Sequence, residues 1–128
     1  MPAATYPTVG HMERILITSP LEEEFVTRIR EGAHGRAEVL YDPTLLARTR
    51  YRNDHKGEPF TRDAAQQARW TGMVKQATIA WDIPAADDLK HMTGLRWIQC
   101  TSTGVGQHIR RLGLDRSEAA APVAGVVV

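Results

Sequence analysis

The chain has 128 residues, 42% of them apolar and 24% charged, and 16 basic against 15 acidic residues leave a formal net charge of +1. That is the size and composition of one globular domain able to bury a real core. The balanced charge, with Arg48, Arg50, Arg52, Arg110 and Arg111 too scattered for a phosphate track, argues against a nucleic-acid partner, and no window approaches the roughly 18 apolar residues of a membrane span.

Residues 1–12, with two prolines and a glycine, read as a disordered extension without the basic-then-apolar profile of a secretory signal. Arg14 to Thr18 is a short apolar run, the first expected strand, stopped by Ser19-Pro20. Ser19 is read as a helix cap with Pro20 in the first position, and Glu22 and Glu23 suit the positive end of the helix dipole. Phe25, Val26 and Ile29 give that helix an apolar face, and Gly32 is expected to end it. Glu38 to Tyr41 reads as the second strand, closed by Asp42-Pro43.

Thr44 to Phe60 forms a long polar connection of the kind that often carries function. Within it, Asp54, His55 and Lys56 could serve acid–base chemistry, although a lone His in a polar loop is more often a surface residue. Thr61 is read as the next cap, with a helix sustained to about Gln76 by Ala64, Ala65, Ala68, Trp70 and Val74. Thr78 to Trp81 is the third expected strand, ended by Asp82-Ile-Pro84. A short helix over Asp87 to Met92 precedes a fourth strand, Arg96 to Cys100. Trp70, Trp81 and Trp97 are expected in the core. Cys100, the single cysteine, reads as an inert core thiol and fits a reducing cytoplasm. His91 and His108 have no ligand partners at metal-binding spacing.

Strands alternating with helices at this spacing call for an α/β domain: a parallel sheet of about four strands flanked by helices. Ligands in such sheets collect beyond the carboxyl ends of the strands. The stretch after the fourth strand, Thr101-Ser-Thr-Gly-Val-Gly106, falls at that edge and opens a helix over Gln107 to Leu112. Gly104 and Gly106 remove two β-carbons, Ser102 and Thr103 add hydroxyls, and the helix start adds free N–H donors. These groups suit a carboxylate or phosphate; a plain strand-to-helix turn would use the same glycines. A dinucleotide fingerprint is excluded, because Ile109 stands where its third glycine belongs.

Leu95-Arg-Trp-Ile-Gln-Cys-Thr-Ser-Thr-Gly-Val-Gly106 resembles the signature stretch of the N-terminal domain of D-isomer-specific 2-hydroxyacid dehydrogenases. Met12-Glu-Arg-Ile-Leu-Ile-Thr-Ser19, Ala77-Thr-Ile-Ala-Trp-Asp-Ile-Pro84 and the loop Tyr51 to Pro59 support the resemblance. It implies a flavodoxin-like, three-layer substrate-binding domain over residues 13–117, the partner of an NAD(P)-binding domain that this stretch does not contain. It further implies a small 2-hydroxy or 2-oxo acid as substrate. The carboxylate would be held by Thr103 and Gly104, with Ser102, Val105 and Gly106 adjoining and Tyr51, Arg52 and His55 as substrate-loop contacts. The family often has Asp where Gly106 stands.

The catalytic Arg, Glu and His of that family and its G-x-G-x-x-G loop match no position here. The chain is therefore expected to bind no cofactor, to be inactive alone, and to self-associate through an exposed interdomain face. Residues 118–128 read as a truncated linker helix toward the cofactor domain. Two rival readings remain: a stand-alone binding or regulatory module for small carboxylates, and a flavodoxin-like signalling domain. The last is disfavoured, since Ser19-Pro20 occupy the place of a phospho-receiver's clustered acids.

Overall fold

The structure, a computed structural model, describes residues 12–101 and 106–113. Four strands, β1 (Glu13–Ile17), β2 (Ala37–Leu40), β3 (Ile79–Trp81) and β4 (Trp97–Gln99), form one parallel sheet in the order β2-β1-β3-β4. Register is continuous: Ile15 stands opposite Val39 on one side and Ile79 on the other, and Ile79 opposite Trp97. This is the strand order of the flavodoxin-like fold, so the expected α/β architecture is present. Among the described residues no helix is long and apolar enough to cross a membrane.

Helix α1 (Glu23–Ala33) joins β1 to β2, and α2 (Ala64–Gln76) carries the chain from β2 back across β1 to β3. The two crossovers run in opposite directions, so right-handed connections place their helices on opposite faces of the sheet. Leu16 and Ile17 record the result. They are neighbours on one strand, hence on opposite faces, and both are fully buried. The core joins Leu16, Ile17, Ala80 and Ile98 of the sheet to Trp70 and Val74 of α2, and to Leu89 and Met92 around the short helix α3 (Ala86–Leu89). Trp70 Nε1 donates to Asp88 Oδ2 at 3.1 Å, so this buried indole loses nothing by leaving water.

Several helix ends differ from the sequence expectation. Ser19 caps nothing: α1 begins four residues later behind Glu22, and no side chain caps it. Gly32 does not end α1. The helix runs through it, and His34 and Gly35, both at positive φ (50° and 75°), turn the chain out. At α2 the cap is Asp63 rather than Thr61. Asp63 Oδ1 accepts from Gln66 N at 2.8 Å and Gln66 Oε1 from Asp63 N at 2.9 Å. This reciprocal capping box satisfies two orphan donors at once, which a lone threonine cannot do.

Two core assignments also change. Trp97 is 48% exposed, because Ile98 takes the core side of β4 and the pleat turns its neighbours outward. Cys100 lies just past β4 and is half-buried rather than in the core.

Candidate functional site

The carboxyl edge of the sheet is tied together before any loop covers it. Thr18, next after β1, donates its backbone N–H to Trp81 O at 3.2 Å and its hydroxyl to the same oxygen at 2.7 Å. Asp82, at φ 75°, donates its N–H to Gln99 O at 2.8 Å, and its own carboxylate takes the Ile83 N–H at 2.9 Å. The ends of β1, β3 and β4 thus form a fixed rim.

Over that rim stands the loop 50–57, built around one carboxylate. Asp54 is 2% exposed and accepts from Arg50 N (3.0 Å), Arg50 Nε (2.8 Å), Arg50 Nη2 (3.2 Å), Lys56 N (3.2 Å) and Gly57 N (3.0 Å). The Arg50 guanidinium, joined by these backbone donors, holds the Asp54 carboxyl far below the usual carboxylate range. Asp54 is therefore a permanent anion that folds the loop, and it has no proton to exchange near neutrality.

Gly57 completes the fold of the loop. Its φ is 76°, and a β-carbon there would stand 2.7 Å from Ala47 Cβ and 2.9 Å from Arg48 O. Only glycine fits both the angle and the space. The other end is tethered to α1: Asn53 N donates to Glu22 Oε1 at 3.3 Å, and Arg52 pairs with Glu24 at 3.0 Å above the Phe25 ring.

Two clefts flank this loop, and His55 borders both. The first, of about 540 Å³, lies between the loop and the turn after β1 and is walled by Ser19, Arg50, Lys56, Glu58 and Arg62. Arg62 is held in place: its Nε donates to Leu45 O at 2.9 Å and its guanidinium stacks 4.1 Å from the Trp70 ring centroid. Ser19 is 9% exposed, and its buried hydroxyl has no hydrogen-bond partner. The second cleft, of about 520 Å³, opens at the ends of β3 and β4 between Leu21, Phe25, Ile29, Trp81, Cys100 and Thr101. Here too a donor is orphaned, the buried Trp81 Nε1. Burial, with Asp82 nearby, pushes the Cys100 thiol up and keeps it protonated near neutrality.

No family model, no curated protein and no solved structure matches this chain. Whatever the site does must be read from its own residues.

Of the predicted site residues, Ser102, Thr103, Gly104 and Val105 lie outside the described residues. Gly106 opens helix α4 (Gly106–Arg111), so the strand, the connecting stretch and the helix follow one another where expected. His55 sits between the two clefts. Arg52 is engaged with Glu24 and Phe25 on α1, and Tyr51 stands 63% exposed beside the Arg50 guanidinium. Ser19 and Arg62 were not anticipated as cleft residues. For the loop itself a signal existed: Asp54 with glycine three residues on is a turn pattern.

The connection from β1 to α1, Thr18-Ser-Pro-Leu-Glu22, does not fit a dinucleotide. It holds no glycine to let a pyrophosphate approach, and Glu22, Glu23 and Glu24 put negative charge at the helix opening. Among the described residues, no three His, Cys, Asp or Glu side chains gather where a metal ion could sit.

Proposed function

We propose that this chain is the substrate-binding half of an NAD(P)-dependent oxidoreductase acting on small 2-hydroxy or 2-oxo acids. The observation that carries the reading is the position of the second cleft. It opens at Cys100 and Thr101, where β4 hands the chain on toward Gly106 and α4, beside the end of β3. A small acid there would set its carbon skeleton against Trp81, Phe25 and Leu21. The resemblance assigns its carboxylate to Thr103 and Gly104, and the Trp81 N–H is a buried donor in need of an acceptor.

On this reading the hydride acceptor and the acid–base groups come from a separate NAD(P)-binding domain. Asp54 is no candidate for the acid–base group, since its buried carboxylate is engaged by five hydrogen bonds and is too weak a base to take a proton near neutrality. The exposed Trp97 on β4 supports a contact surface for that domain, or for a second copy of this chain. The free thiol of Cys100 suits the reducing cytoplasm.

Calorimetry with glyoxylate and oxalate tests the proposal, together with an NADH-oxidation assay on the same sample. The expected result is millimolar-range binding with no turnover. Absence of binding at saturating ligand would remove the substrate assignment. Oxidation of NADH by the purified chain would instead overturn the half-enzyme assignment.

A further inference from the structure

The polar cleft has no part in the function proposed above, yet it is the more firmly built of the two. Its loop wall is locked by five hydrogen bonds to Asp54 and by a glycine that tolerates no β-carbon. Its far wall is Arg62, clamped between Leu45 O and the face of Trp70. A cleft shaped by rigid elements can hold a ligand without first ordering itself.

The charges around it are unequal. Arg50 is largely spent on Asp54, whereas Lys56 forms no ion pair among the described residues and Arg62 commits only its Nε. Glu58 is the single acidic residue among those lining the cleft, against Lys56 and Arg62, while Asp88 acts on Arg62 from α3. Ser19 adds a hydroxyl, in a residue more than nine-tenths buried, with nothing to bond. A buried hydroxyl without a partner is costly, and a native structure keeps one where something else satisfies it.

We propose that this cleft is a second binding site, for a small phosphate-bearing anion, with Ser19, Lys56 and Arg62 as its donors and His55 at its boundary with the acid cleft. A tetrahedral dianion offers acceptors in several directions, which three donors on separate walls can meet together; a planar carboxylate offers fewer. The volume of about 540 Å³ admits an organic phosphate as well as the free ion.

Titration of the full chain with inorganic phosphate and with phosphoglycolate, at matched ionic strength and followed by amide NMR, tests the assignment. Shifts are expected at Ser19, Lys56 and Gly57. Lys56→Gln should weaken binding about five- to tenfold and Ser19→Ala about three- to tenfold. Neither should lower the melting temperature appreciably, because neither side chain has a partner to lose. Tighter binding of phosphoglycolate would name an organic phosphate as the ligand, and tighter binding of inorganic phosphate would name the free ion. No shifts in the cleft, or shifts unchanged in both variants, would overturn the proposal.

Discussion

The two clefts lie on either side of one histidine, at one edge of one sheet, and they differ in what holds them open. The polar cleft owes its shape to electrostatics: a buried carboxylate draws in backbone and guanidinium donors until the loop has one conformation. The apolar cleft owes its shape to packing, with Phe25 and Ile29 of α1 facing Trp81 across the strand ends. Each has one buried donor without an acceptor, the Ser19 hydroxyl in the first and the Trp81 indole N–H in the second. One sheet edge thus carries two clefts of different chemical character, one lined by charged side chains and one by apolar ones.

Gly57→Ala should disturb the polar cleft most. The added β-carbon meets Ala47 and the Arg48 carbonyl at a positive φ, so a destabilisation of about 2–4 kcal/mol is expected by thermal or urea unfolding. Amide shifts should move throughout 46–58 and stay in place around Ala80 and Ile98. Equal disturbance at both places would mean that the loop and the rim are one unit.

A gentler break is Asp54→Asn, read through its pH dependence. The folded carboxyl ionises well below the ordinary carboxylate pKa near 4, so its stabilising effect is complete above that value. It fades as pH falls from there toward the folded pKa. The native chain should therefore lose stability between about pH 4 and pH 2. The Asn variant should be less stable at neutral pH, by several degrees in melting temperature, and should show a shallower acid slope. Parallel slopes in the two proteins would deny Asp54 its role as the loop's anchor.

Much of the framework was legible in the sequence, for identifiable reasons. Arg14-Ile-Leu-Ile17 and Ile79-Ala-Trp81 are short apolar runs bounded by turn residues, and both are strands. The Ala- and Gln-rich segment 64–76 is a helix that ends where expected. The misses came where tertiary context chose between two local options. Ser19-Pro20 has the form of a cap and first helical residue, yet here the pair closes β1, and Pro20 packs against Gly57. Trp97 is apolar enough for the core, but Ile98 next to it won the inward side of the pleat. Of the anion-binding loop expected at Thr101–Gly106, residues 102–105 lie outside the described residues. The polar cleft was legible only in part: Lys56 lies in the polar connection flagged as functional, but Ser19, 37 residues before it, joins Lys56 and Arg62 only through the fold.

Taken together, the two proposals give the sheet edge two separate sites, an acid cleft and a phosphate cleft. The most direct test is residue-resolved NMR with oxalate and inorganic phosphate added in either order. Oxalate should shift Trp81, Cys100 and Thr101, phosphate should shift Ser19, Lys56 and Gly57, and each should bind in the presence of the other, with His55 sensing both. Competition between the two ligands for one common set of amides would contradict it.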